Sequence, residues 1–425
     1  MRKDRLAVVA VSVALVATAA TACSSSSKSS SSSGGGTAAS DRGPITVVQG
    51  KDNSNTIPTL TQMWNKDHPT EKVTFKQQSD SATDQLQDLE QHFQSKDSGY
   101  DVVSVDVVWT AEFAAKGWLV PLKDTFALPT TTLLPATVKA ATYNGTLYAA
   151  PASSDGGMLY YRKDIVSTPP KTWDELIADC AKYKSQVPNC YAGQFANYEG
   201  LTVNAAEAIN AAGGEIVKSD GKTADVNTPA AAKGLDFLVN GFKQGYIPKE
   251  AIGYKETESL NAFIGGKLLF MRQWPYGVAI ANDPKSSKVV GKFAYTSLIG
   301  PSGPGASSLG GHSFAIGAFS KHKATALDFL KFAESDAYQK YLINQASLAP
   351  VITSLYSDPT LVAKFPYLPV LKKSIDTAQP RPVTPFYPAV TKAIDDNVYA
   401  ALQGQKSTQQ ALTDMQAAIT SATSG

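Results

Sequence analysis

An α/β protein of two lobes is what this sequence predicts, on three observations. Strand-like and helix-like segments alternate from Ile45 to Gly117, which is the mark of a mainly parallel sheet covered by helices. A second α/β stretch follows Asp155-Gly156-Gly157, where two short β-like runs meet. Roughly 380 residues remain after a Ser/Gly-rich N-terminal stretch, enough for two domains or one large two-lobed unit.

The elements follow in order. "ITVVQ" reads as a strand, and "TIPTLTQMWNKDHP" as a helix stopped by Pro69. "KVTFKQQ" is a strand, "SATDQLQDLEQHFQSK" a helix, "DVVSVDVVW" a strand and "TAEFAAKGW" a helix ended near Gly117. Thr172 and Glu175 have capping-box spacing for the helix "WDELIADCAKYK". "YEGLTVNAAEAINAAGG" is a helix that its glycines terminate. Thr228-Pro229 opens another. "LLFMRQW" and "FAYTSLI" read as strands, "SGPGASSLGG" as a loop and "SFAIGAF" as a strand. "KATALDFLKFAESDAYQKYLINQ" reads as one long helix, and a Pro-rich turn, "AQPRPVTPFYP", precedes two final helices. Mixed material after the second α/β stretch fits more than one crossing between the lobes.

The N-terminus reads as an export signal. Arg2, Lys3 and Arg5 precede an apolar run from Leu6 to Ala20, too short for a spanning helix. Small residues then lead to Cys23, the shape of a bacterial lipoprotein signal; the alternative is an ordinary signal cut near Ala22 with Cys23 incidental. Ser24 to Ser40 is Ser/Gly/Ala with one lysine and reads as a flexible tether. The expected organisation is a signal peptide over 1–22, a lipidated tether over 23–43, a first lobe over 44–153 to which 305–350 returns, and a second lobe over 154–304 to which 351–425 returns. The folded body is expected at the outer face of the cytoplasmic membrane, held through Cys23.

A net charge of +2 argues against nucleic acid or a strongly anionic partner. Cys180 and Cys190, in an oxidising compartment, read better as a disulfide than as two buried thiols. His68, His92, His312 and His322 are scattered, none at ligand spacing from a cysteine, so neither a metal nor another cofactor is expected.

Ligands of α/β sheets sit outside strand ends. Such ends offer Asp106 and Trp109, Asp155, Trp274 and Tyr276, Gly310 to His312, and Arg381 between two prolines. Pro275 cannot donate to a ladder, so the strand before it ends with two aromatics on display. Carboxylates accept from hydroxyls, an arginine donates to them, aromatic planes take C–H faces, and glycines admit close backbone approach. The sum suits a neutral carbohydrate. Each residue also has a plainer role: Trp274 and Tyr276 as core aromatics, Asp106 as a helix cap, Asp155 as a turn residue, Arg381 in a surface ion pair.

Together "GKDNSNTIPTLTQMWNKDHP", "YDVVSVDVVWTAEFAAKGWLVPL", "YAAPASSDGGMLYYRKD", "AFIGGKLLFMRQWPYG", "SSLGGHSFAI" and "RPVTPFYPAVTKAI" resemble the extracellular solute-binding proteins (family 1) of bacterial ABC importers, in the maltose/trehalose-binding branch. The resemblance covers nearly the whole mature chain. It implies a two-lobed periplasmic-binding-protein-like fold of type II, hinged between lobes that close on a sugar. It implies a permease and an ATPase as partners, a monomeric receptor and no catalysis. By position it makes Asp106 a hydroxyl acceptor, Asp155 a hinge-side carboxylate, Trp274 a stacking platform beside Tyr276, and Arg381 an arginine reaching into the cleft. An N-terminal contact falls at Asp52 or Asn53. Gly311 and His312 fall where the family often has Gly followed by Trp, and Gln85-Leu86-Gln87 where an Arg is common. The reading is a receptor for an α-linked disaccharide or small oligosaccharide, trehalose or maltose type. Its alternatives are a secreted glycoside hydrolase, which needs two carboxylates across a glycosidic bond, and a receptor for peptides or polyamines.

Overall fold

The structure, a computed structural model, describes residues 41–51 and 56–424. Cys23, Asp52 and Asn53 lie outside the described residues. The strands are β1 (Ile45–Gln49), β2 (Val73–Gln77), β3 (Val102–Asp106), the hairpin pair β4 (Thr142–Tyr143) and β5 (Thr146–Leu147), β6 (Ala150–Gly156), β7 (Met158–Arg162), β8 (Asn189–Ala192), β9 (Leu268–Gln273), β10 (Phe293–Ser297) and β11 (Leu309–Ile316).

Two sheets carry the two lobes. The first has the order β2-β1-β3-β11-β6 and the second β10-β7-β9-β8. Strands β1, β2 and β3 pair in parallel, as helix-linked neighbours must. The expectation of mainly parallel sheets fails beyond them. Strand β11 runs antiparallel to both β3 and β6. In the second sheet β7 is antiparallel to β9 and β10, and only β8 and β9 are parallel. The cause is connectivity. Strand β11 re-enters the first sheet from the second lobe, at the end where β3 and β6 finish, so it must run back against them.

A single residue, Gly157, separates β6 in the first sheet from β7 in the second. Ser307 Oγ accepts from its N–H at 2.7 Å, and Ser374 Oγ donates to its carbonyl at 2.8 Å. Ser307 precedes β11 and Ser374 lies in the helix Leu368–Asp376, so two distant segments hold this crossing.

The first sheet is covered on both faces, as alternation along a strand allows. Ile45 and Val47 face Leu60, Trp64 and Phe329, whereas Val48 faces Leu89, Phe93 and Tyr387. A separate core fills the second lobe around Tyr160, Phe263, Phe270 and Leu235.

Local signals fare unevenly. The capping box at Thr172 is half made: Thr172 accepts from Glu175 N, but Glu175 Oε2 takes the N–H of Lys171. Gly310, Gly311 and His312 are not loop but part of β11. The expected long helix is broken into Lys323–Ala333 and Asp336–Ala346, because Ser335 caps the second piece by accepting from Tyr338 N. Cys180 and Cys190 are disulfide-bonded, Cα to Cα 5.3 Å. Among the described residues no helix is long and apolar enough to cross a membrane.

Candidate functional site

The carboxyl ends of β3 and β6, the amino end of β11 and the residues following β9 converge on a cavity of about 200 Å³. Eight of the strand-end residues singled out above line it: Asp106, Asp155, Trp274, Tyr276, Gly310, Gly311, His312 and Arg381. Trp109 does not; it is core, 1% exposed. His312 lies directly opposite Asp106 in the β11–β3 ladder, which puts both side chains on one face.

Two adjacent glycines shape this wall. Gly311 has φ +106°, and a Cβ there would meet Ser153 O at 2.3 Å. This is the irregular point of β11, where its register against β6 shifts just after His312. Gly310 is opposite Asp155, and a Cβ there would meet the Trp274 ring at 2.7 Å. The missing side chain is therefore the space that the indole edge occupies.

Strand β9 ends at Gln273, and a short helix, Gly277–Ala281, starts past Pro275. Trp274, between them, is half-buried: it lines the cavity and packs against the edge of the second core. Its backbone is fixed by Gln273 Oε1, which accepts from Trp274 N at 2.9 Å, and by Tyr160 OH, which donates to Trp274 O at 2.7 Å.

The electrostatics are acidic. Asp80, Asp106, Asp155, Glu199 and Glu256 line the cavity against Lys51 and Arg381. Arg381 is 2% exposed and is not a surface ion pair. Its Nη2 donates to Asp106 Oδ1 at 2.5 Å and its Nη1 to Glu199 Oε1. Asp106 therefore serves Arg381 first; its contact with Val108 N is long, 3.4 Å. Tyr387 and Thr391 complete the shell of Glu199, at 2.5 and 2.7 Å. Burial pushes the Glu199 carboxyl above its ordinary value, against the pull of Arg381.

Asp155 is different. Its Oδ1 is buried with no hydrogen-bond partner. Burial pushes its carboxyl up to about 7; Arg272 opposes the shift and Asp106 adds to it. Such a group gains most from a ligand that donates hydrogen bonds to it.

Sequence reasoning missed Glu199, Tyr198, Glu256, Asp80 and Gln85. Glu199 and Glu256 each stand in the first turn of a helix, where the backbone dipole favours a carboxylate. That position was the available signal. Tyr198 OH donates to Glu256 Oε2 at 2.7 Å. Gln85, noted only as a departure, donates to Ser79 O at 2.9 Å. Besides the Arg381–Asp106 pair, Lys255 Nζ reaches Asp80 Oδ1 at 3.4 Å and Glu199 N donates to Thr83 Oγ1 at 3.1 Å across the cleft. Among the described residues no group of acids, histidines or cysteines has the arrangement of a metal site.

Two α/β lobes with carboxylates and an aromatic plane between them define a protein that encloses a small polar solute. The chain belongs to the bacterial extracellular solute-binding protein family, whose model matches residues 48–340. It is 34% identical over 330 residues to a probable ABC transporter-binding protein of Deinococcus radiodurans, covering 74% of this chain and 77% of the relative. It is 28% identical over 347 residues to the mannitol-binding protein of Pseudomonas aeruginosa, covering 74% and 78%. The structure matches that of maltose-bound MalE3 of T. maritima with a TM-score of 0.83 at 30% identity, covering 88% of this chain and 98% of that one.

Proposed function

We propose that this protein is the sugar receptor of an ABC importer, taking an α-linked disaccharide or small oligosaccharide of the maltose or trehalose type. The observation that carries the reading is the cavity wall itself. A half-buried indole plane stands within one cavity with an unpartnered buried carboxylate oxygen on Asp155 and the Arg381-held carboxylate of Asp106. A pyranose has a C–H face for the first and hydroxyl donors for the other two. The likeness to a maltose-bound protein supports the same class.

Closure supplies the signal. The chain up to Gly156, with 305–350, moves as one lobe, and 158–304 with 351–425 as the other; the crossing falls at Gly157, three residues after the boundary the sequence suggests. Sugar favours the closed pair because it contacts both. A permease with its ATPase reads the closed form. Asp106 is committed to Arg381, so it and Asp155 do not form the free acid and free nucleophile of a glycosidase. On the family resemblance alone, Asp52 or Asn53 is a further sugar contact. The receptor works as a monomer, held at the outer face of the cytoplasmic membrane by acyl chains on Cys23.

A thermal-shift screen of residues 41–425 against disaccharides, hexitols, peptides and polyamines tests the ligand class, since binding raises stability by mass action. Maltose or trehalose is expected to give the largest shift. A largest shift with a hexitol, peptide or polyamine rejects the disaccharide reading. For the anchor, Cys23→Ser is expected to move the full-length protein out of the membrane fraction with its sugar affinity unchanged.

A further inference from the structure

The Trp274 indole rests on a cation. The Arg272 guanidinium lies 3.7 Å from the ring centroid. Arg272 is itself 1% exposed and does not line the cavity. Its edge is tied down by three hydrogen bonds. Nε donates to Glu207 Oε2 at 2.8 Å, Nη2 to Glu207 Oε1 at 2.6 Å, and Nη1 to Gln194 Oε1 at 3.1 Å. The holders are held in turn. Ser308 N donates to Glu207 Oε1 at 3.1 Å, and Asn204 Nδ2 to Gln194 Oε1 at 3.2 Å. A guanidinium takes carboxylates at its edge and aromatic planes on its face, and here it does both.

Burying such a pair is costly, and apolar residues of similar volume often do as well or better for stability. Space-filling therefore does not account for a charge at this place. The indole face does. With its edge fixed by three hydrogen bonds, the guanidinium holds a set position over the ring, 3.7 Å from its centroid.

We propose that Arg272 is a positioning and specificity residue: it sets the Trp274 indole as a rigid, cation-backed plane that receives neutral sugar rings and disfavours cationic ones. The proposal rests on the sugar-receptor reading of the cavity. A cation on one face of an indole draws on the same ring quadrupole that would attract a cation on the other. A protonated amino sugar stacked on the cavity face meets that weakened attraction and the repulsion of Arg272 through one ring. A neutral pyranose loses little, because its C–H face is held mainly by apolar contact. The cavity carboxylates attract any cation, so the effect of Arg272 shows in the ratio of affinities between matched ligands and not in either alone.

The test titrates wild type, R272M/E207Q and R272K with maltose and trehalose, and with the 2-amino-2-deoxy analogue of each, at pH 6. The paired change avoids stranding a buried carboxylate. In R272M/E207Q, affinity for the neutral sugar should fall on the order of 10-fold, and the amino-to-neutral affinity ratio should rise by about 5-fold or more. R272K should also weaken the neutral sugar, because an ammonium has no plane to offer. In a W274A background the Arg272 changes should cause no further loss, which a purely structural role would not produce. An unchanged ratio in R272M/E207Q, or an equal loss with and without Trp274, overturns the proposal. If R272M/E207Q does not fold, the cycle of R272K with W274A decides the same question. Wild type that binds no sugar overturns the sugar reading and this proposal together, whereas wild type that binds sugar beside unaltered variants overturns this proposal alone.

Discussion

Trp274 faces the cavity because Pro275 ends the ladder one residue later and Gly310 leaves room for the ring edge. A central aromatic of this kind typically contributes about 2 kcal/mol or more on truncation. Trp274→Ala should therefore weaken sugar binding at least about 30-fold while thermal unfolding stays cooperative. Wild-type affinity by calorimetry in this variant would remove the platform. Asp155 gives a pH signature. Its folded value is raised to about 7 from 3.8, so its contribution to stability is fully present below 3.8 and is lost as pH rises toward 7. Asp155→Asn should remove that loss and gain on the order of 2 kcal/mol relative to wild type at pH 8. Binding runs the other way: hydroxyls donating to the carboxylate favour its charged form, so sugar affinity should rise with pH up to about 7 and level off. A flat wild-type profile, or the same slope in Asp155→Asn, contradicts this. These residues were legible because each stands at a strand end. Glu199 and Glu256 were not, because nothing local says which helix start will meet Arg381 or Tyr198.

At the scale of elements, the helix Glu199–Ala211 does the most. It is buried along its first eleven residues, and it delivers Glu199 to Arg381 and Glu207 to Arg272 eight positions apart. Its sequence shows a helix, but its apolar and small residues run all round, so periodicity could not say which face met the site. The strands β1 to β3 were legible from alternation with helices. The antiparallel entry of β11 was not, because strand direction depends on where a segment of the other lobe delivers the chain. The break at Ser335 was overlooked because a helix-forming run on both sides hides a cap. The disulfide ties the helix Trp173–Lys182 to β8, and neither cysteine lines the cavity. Replacing both by serine should cost roughly 2–3 kcal/mol of stability, from loop-closure entropy, with sugar affinity unchanged. Denaturant titration alongside calorimetry checks both halves. Unchanged stability would contradict the loop-closure account.

Across the whole molecule, the ion pairs around the cavity join parts distant in sequence. Asp106, Glu199 and Arg381 come from three separate segments, and Lys255 reaches Asp80 over the cleft. Two lobes linked by several crossings can change their opening while each core stays intact, and a solute touching both walls sets the balance. The class of ligand follows from that wall; its identity follows from details such as His312 beside Asp106, which composition and periodicity do not reach. The most direct measurement is calorimetric titration of residues 41–425 with maltose and trehalose, followed by recovery of the sugar. The account predicts saturable binding of at least one of them at one site per chain, with a negative heat-capacity change and the disaccharide recovered whole. No heat with either sugar, or glucose released from them, would contradict it.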